Sequence, residues 1–372
     1  MKTHALPGTL LLGSCLLGWS SAGNAAELTV RLEDPPPTGT VVFVLFDSAN
    51  TFGDLRDPAK TVRYTSDDSG TYRIRDVPAG EYALLVYHDE NENGFIDRSF
   101  IGIPKEPLGF SRGYRPKGPP NYSRAAFELG EGETRHFDVE LSRPLGDLGR
   151  FGIGLGVIAR SSPYRGYEGG VYQPIPAVTY TGNRLRIFGP NAQADLFGSG
   201  RLRLAAAVSY RIGVYDEDDS SFLEGMGDRK STLMAGPTMQ CELPAGVDLS
   251  AGYEHDVLDE IGGGVGRLAI DKSFRAGVFS LSPEIGLNWV SAELSNHDFG
   301  VPAESATAAR PAYDPGGTFS VEGTVRLFIE VATGWLVVMS AGVELQNENV
   351  TDSPIVSEEH IIKGFAAVNY VL

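Results

Sequence analysis

From about Gly149 to Leu372, apolar residues alternate with small or polar ones in one short segment after another. In the run from Arg201 to Tyr215, Leu202, Leu204, Ala206, Val208, Tyr210, Ile212 and Val214 share one face. Arg203, Ala205, Ala207, Ser209 and Arg211 share the other. Side chains alternate across a strand, so such a segment offers an apolar face to lipid and a polar face to an interior. The pattern returns at Phe319, Val321, Val325, Leu327, Ile329 and Val331, against Ser320, Glu322, Thr324, Arg326 and Glu330. It returns again at Trp335, Val337, Met339, Ala341, Val343 and Leu345, against Ser340, Gly342, Glu344 and Gln346. Gly152, Gly154 and Gly156 fall on the interior-facing side of the first such segment. A soluble β-sandwich also alternates. The length and tight spacing of these segments, which stay apolar to their ends, favour an antiparallel transmembrane β-barrel over residues 149–372.

Loop lengths set the strand number. Long polar stretches cover 161–170, 216–230, 259–264, 294–317 and 347–359, and short turns fall at 181–183, 198–200, 243–245, 276–277 and 332–334. A preceding domain and a C-terminus that both face the periplasm require an even count, with the long loops all on the outer side. Reading Arg184 to Phe197 as one strand breaks that rule. Splitting it at Gly189-Pro190-Asn191 restores it and gives about twelve strands.

Residues 27–142 have a different grain. Strand-like runs at Glu27–Glu33, Thr40–Phe46, Thr61–Thr65, Thr71–Val77, Glu81–His88, Ala125–Leu129 and Arg135–Leu141 are separated by Pro35-Pro36-Pro37, Asp67-Asp68-Ser69-Gly70 and Pro78-Ala79-Gly80. Short strands with such punctuation predict a small antiparallel β-sandwich. The stretch from Asp89 to Asn121, rich in Gly, Pro and Asn, is predicted as a structured functional loop rather than a strand. Residues 143–148 read as a linker.

Residues 1–26 read as an export signal. Lys2 supplies the charge, Leu10 to Trp19 the apolar core, and Gly23-Asn24-Ala25 the small residues for cleavage after Ala25 or Ala26. A lipoprotein box at Leu12-Gly13-Ser14-Cys15 is the rival, weakened by Pro7 and Gly8 in its apolar stretch. Ordinary cleavage leaves Cys241 as the one cysteine, so no internal disulfide is expected. No internal apolar run reaches the ~20 residues of a membrane helix, which leaves a barrel untouched as a possibility. The net charge of -17 over 372 residues argues against nucleic acid as a partner.

Candidate chemistry is sparse. The run from Asp89 to Asp97 places oxygen side chains at Asp89, Asn91, Asn93 and Asp97, a glycine at Gly94 and the carbonyl of Phe95, in the order of the first part of an EF-hand-type Ca²⁺ loop. Phe100 stands where the bidentate glutamate belongs, so the competing reading is an Asn/Gly hairpin closed on its own backbone. The six histidines show no metal-type spacing. His255 and Ser250 form the one faint catalytic pair, and alternation puts them on opposite faces, so no catalytic residue is expected. Asp216-Glu217-Asp218-Asp219 reads as a solvated outer loop, or as a cation bridge to lipopolysaccharide phosphates.

Two resemblances extend this reading. Phe151-Gly152-Ile153-Gly154-Leu155-Gly156, Gln173-Pro174-Ile175-Pro176, Gly225-Met226-Gly227-Asp228, Pro311 to Gly317 and Thr351 to Val356, in that order and spacing, resemble the MipA/OmpV family of outer-membrane barrels. The ending Tyr370-Val371-Leu372 departs from the terminal Phe usual there. Pro78 to Ala83, His88 to Gly94 and Phe100 to Ser111 resemble the DUF2141 family, which implies a periplasmic transthyretin-like or immunoglobulin-like sandwich and no activity. The first resemblance implies contact with murein synthases and lytic transglycosylases. The function expected is a non-enzymatic scaffold in the outer membrane, surrounded by lipid and lipopolysaccharide. The alternative is a narrow channel lined by Arg203, Arg211, Glu242, Glu284, Arg326 and Glu344, unless those charges pair and fill it.

Overall fold

The computed structural model describes residues 25–372 except 100, 101, 147, 168, 199 and 333, so the export signal and Cys15 lie outside the described residues. Two β units follow in chain order.

The first is a sandwich. One sheet holds β1 (Ala26–Leu32) between β4 (Thr71–Val77) and β8 (Thr134–Val139). The other runs β3 (Lys60–Thr65), β2 (Thr40–Phe46), β5 (Gly80–Asp89), β6 (Leu108–Phe110), with β7 (Phe127–Leu129) also on β5. The pairing of β1 with β8 is parallel, the one exception among the described residues to the antiparallel expectation in this unit. Leu28, Val30, Phe43, Leu45, Ile74 and Leu84 pack between the sheets. β2 and β5 bury both faces, and this explains runs that are apolar throughout instead of alternating. Val42, Val44, Phe46 and Leu85 meet Phe52 of α1 (Ala49–Asp54) and Ala125 of α2 (Tyr122–Ala125). The segment 89–121, expected to hold no strand, contributes β6, because Leu108 and Phe110 complete this second core.

The second unit is a closed antiparallel barrel of twelve strands. It begins with β9 (Arg150–Ser161). Next comes a strand interrupted into β10 (Gly170–Pro176) and β11 (Thr179–Thr181), both paired to β9. It continues through β12 (Leu185–Phe188), β13 (Asn191–Phe197), β14 (Leu202–Arg211), β15 (Thr232–Leu243) and β16 (Val247–Asp256). β17 (Gly264–Lys272) and β18 (Phe274–Ala276) are again one interrupted strand along β19 (Phe279–Val290). β20 (Thr318–Ala332), β21 (Trp335–Gln346) and β22 (His360–Val371) complete the wall. β22 pairs back to β9 from Lys363↔Arg160 to Val371↔Gly152, which closes the sheet on itself; among the described residues β10 pairs with β9 alone, so one short edge remains beside the β12–β13 hairpin. Gly154 permits this seam: a Cβ there would fall 2.0 Å from the Val368 carbonyl oxygen.

The split at 189–190 is observed as the β12–β13 turn. The predicted faces also hold within the strands. Leu155 is 77% exposed on the outside, and Arg203 is 1% exposed inside. One assignment fails. The alternation in the run 201–215 stops at Arg211, and Val214 is buried in a loop cluster instead of facing lipid. Gly213 permits the turn away: a Cβ there would fall 2.0 Å from the Arg229 carbonyl oxygen. Among the described residues no helix is long and apolar enough to cross a membrane; the strands cross it.

Candidate functional site

Both mouths of the barrel are covered, and a polar chamber remains between them. At the mouth carrying the short turns, the cover is the sandwich. Ser48 caps α1, its Oγ accepting the Thr51 N–H at 3.3 Å, and this fixes the helix that docks. Asp54 on α1 pairs with Arg275 of β18 at 2.8 Å, and the Arg275 N–H donates to Asn50 Oδ1 at 2.9 Å. A Cβ at Gly53 would lie 1.7 Å from Arg275 Cδ, so the bare helix face is what lets the arginine lie flat. Just after α1, Arg56 reaches into the barrel, 3.1 Å from Glu242 and 3.0 Å from Asp248. Glu242 also holds the fully buried Arg203. Arg98, buried beside this group, donates to the carbonyls of Asp54 and Leu55, and burial lowers it to about 10, still charged at neutral pH. Lys105 pairs with Asp195 at 3.2 Å, and Arg150 donates to the Pro116 carbonyl at 3.1 Å.

At the opposite mouth the long loops fold inward. Tyr164, Val214, Tyr215, Leu223, Phe299 and Ile355 form a buried apolar cluster from four different loops. Helix α3 (Ala292–Phe299), capped by Ser291, carries Asp298 down to Arg211. Tyr164 Oη donates to the Asp298 carbonyl at 3.1 Å, and His297 Nδ1 lies 2.9 Å from the Asp298 carboxylate. Burial alone would raise that carboxyl. Arg211, with His297 and Arg160, outweighs burial and holds it down at about 2. Buried Arg310 ties the loops together through the carbonyls of Phe222, Glu224 and Ser305.

The chamber between has a volume of about 490 Å³. One side of its wall is an ion network. Arg267 meets Glu284 at 2.6 Å and Glu322 at 3.0 Å, and Lys363 meets Glu322 at 3.1 Å and Glu344 at 2.8 Å. Arg326 also pairs with Glu284. All six charges predicted for the interior therefore sit in ion pairs.

The Asp89–Asp97 loop is drawn together as a closed turn. Asp89 accepts the N–H groups of Asn93 (3.1 Å) and Gly94 (2.8 Å). Asn91 and Asn93 each donate to Asp97 at 2.8 Å, Asn93 Oδ1 accepts the Phe95 N–H at 2.8 Å, and the Phe95 side chain is 55% exposed. Among the described residues no three His, Cys, Asp or Glu side chains gather as a metal-holding group. Glu106, absent from the sequence reading, closes the loop from behind, accepting the N–H groups of Glu90 and Asp97 at 3.2 Å. Burial pushes its carboxyl up to about 7, against those hydrogen bonds. Ser250 lines the chamber while His255 is exposed beside Tyr253, so the two are not brought together. In the acidic loop, Glu217 accepts the N–H groups of Gly225 and Gly227, and Asp219 that of Asp216. Arg56, Arg98 and Asp298 carry the arrangement and were not legible, because Asp248, the Asp54 and Leu55 carbonyls and Arg211 that they meet lie far away along the chain.

A closed barrel with an apolar outer belt, one mouth seated on a folded domain, defines an integral protein of the outer membrane. The chain belongs to the family of the MltA-interacting protein MipA, matched over residues 153–372. Residues 35–136 match DUF2141, an uncharacterised family conserved in bacteria. The chain is similar to outer membrane protein Omp26La of Vibrio anguillarum (30% identity over 47% of this chain and 65% of the relative). It is also similar to the MltA-interacting protein of Escherichia coli K12 (27% identity over 56% and 85%) and to OmpV of Vibrio cholerae (28% over 47% and 65%). The matched region thus spans just under two thirds of the two Vibrio proteins.

Proposed function

We propose that this chain is a non-enzymatic outer-membrane scaffold that presents its periplasmic sandwich to envelope machinery, with enzymes of murein synthesis and hydrolysis as the partners. The observation that carries this reading is closure at both mouths, by the sandwich on one side and the loop cluster on the other. A barrel so filled is an anchor in lipid and lipopolysaccharide more readily than a conduit. A relative is named for interaction with MltA, which makes a lytic transglycosylase the first partner to look for. Crosslinking intact envelopes and purifying the tagged chain should enrich a lytic transglycosylase or a murein synthase over a control barrel of similar abundance. In planar bilayers the pure protein should give little steady conductance. Recovery of no such enzyme, together with reproducible single-channel steps altered by Glu344→Ala, would establish the channel instead.

We further propose that the loop Asp89, Asn91, Asn93, Phe95 and Asp97 takes Ca²⁺ weakly, in the ~10⁻⁴ to 10⁻³ M range of extracellular modules. Support comes from the oxygen side chains already gathered within one turn. Both apolar cores of the sandwich are built from its own residues, so residues 27–142 can be melted alone. Millimolar Ca²⁺ should raise the melting midpoint over that in chelator, the folded state gaining about 1.4 kcal/mol at ten times Kd, and Asp89→Ala should abolish the rise. Identical curves with and without calcium would leave the hydrogen-bonded hairpin as the complete account.

A further inference from the structure

We propose that the chamber between the two covers is a binding site for a small zwitterion, an amino acid or short peptide with free ammonium and carboxylate ends, held between Arg160 and Glu254. The inference comes from which charges on the wall are already used. Arg211 is taken by Asp298, while Arg267 and Lys363 share Glu322 and Glu344. Two lining charges remain. The guanidinium of Arg160 makes no hydrogen bond or ion pair among the described residues, and its Nε is buried without a partner. Asp298 and Glu344 lie within electrostatic reach of it, but each is engaged elsewhere. Glu254 accepts the Ser209 hydroxyl and meets no cation.

The two leftover charges are opposite in sign and opposite in place. Arg160 lies on the first barrel strand and Glu254 on the seventh of twelve, half the circumference apart. Strands spaced ~4.8 Å apart and tilted ~40° give a twelve-stranded wall about 24 Å across between backbones. The two long side chains shorten that gap. Ala207, Ala251 and Gly252 near Glu254 are small, and the open volume lies against them. A charge with no ionic partner on the wall of a confined chamber is drawn to a group of opposite sign. A simple anion would satisfy Arg160 alone and a simple cation Glu254 alone. A molecule charged at both ends satisfies both, its carboxylate accepting the guanidinium fork.

The test uses full-length protein in detergent, titrated calorimetrically with trialanine and with alanine, each added after refolding and also present during it. Binding of one or both is expected, and the tighter of the two fixes the length of ligand. N-acetyl-trialanine and trialanine amide should each bind roughly tenfold or more weakly, the loss of one charge-assisted hydrogen bond. Arg160→Met should erase the preference for a free carboxylate and Glu254→Gln the preference for a free ammonium. Neither residue sits in an ion pair, so both variants should keep the folded gel mobility of the unboiled barrel. No heat with either compound, or equal affinity for free and blocked peptides on the native protein, overturns the proposal without reference to the variants.

Discussion

Replacing Glu242 by alanine should cost about 3–5 kcal/mol, the scale for removing one partner of a buried ion pair. Glu242 holds two arginines from two units of the chain: Arg203 of the barrel wall, 1% exposed, and Arg56 of the sandwich. Arg56 keeps Asp248 when Glu242 is lost. Arg203 keeps nothing, since its Nε and Nη2 have no partner among the described residues even with Glu242 in place. The deficit should therefore appear in the barrel itself, as a lower guanidinium midpoint. The double variant Arg203→Met, Glu242→Met should recover most of it, because apolar side chains of similar size need no partner. A Glu242→Ala midpoint within error of the parent would show that the inner mouth is wetter than its packing indicates.

Asp298→Ala should release the outer cover. Its carboxylate joins the C-terminal end of α3 to the barrel wall through Arg211, and without it that end keeps the bonds that Tyr164 and Ser353 donate to the Asp298 and Phe299 carbonyls. The measurable result is faster proteolytic cleavage in 291–317, with β19 and β20 left intact. The same latch has an acid limit. Its folded carboxyl titrates at about 2, below the ~3.9 of an unfolded aspartate. Stability from the pair is thus complete above about pH 4, and it is lost as pH falls toward 2. Protection of the loop should be flat from neutrality to about pH 4 and decline below it. The Asp298→Ala protein should show no such decline.

The strands were legible because lipid and lumen impose a strict two-residue period, and a period survives in sequence. The tight β12–β13 turn was found by the same logic, through the side on which loops had to fall. What sequence concealed was every decision made across space. Val214 continues the alternation of β14 on paper, yet the chain has already turned at Gly213. Helix α3 lies in a stretch whose polar residues Ser295, Asn296, His297 and Asp298 resemble open loop, and burial of Leu294 and Phe299, with Arg211 below and Tyr164 beside, makes a helix there worth forming. Leu108 and Phe110 looked like part of a Gly- and Pro-rich loop, and became a strand because β5 offered an open edge. Arg56 and Arg98 had no local signal at all, since an arginine near a turn is ordinary until a carboxylate about 190 residues later meets it, as Asp248 meets Arg56.

The seat of the sandwich also sets an order of events. Its two cores are local, so it can fold before the later strands have arrived. The surface it sits on does not exist at that moment. Glu242 and Asp248 flank one turn, Arg275 stands on a different strand, and Asp195 on another. Those residues come into one ring only when the wall has curled and β22 has found β9. The domain made first is therefore the last to take its place, and a docked sandwich marks a wall that has closed.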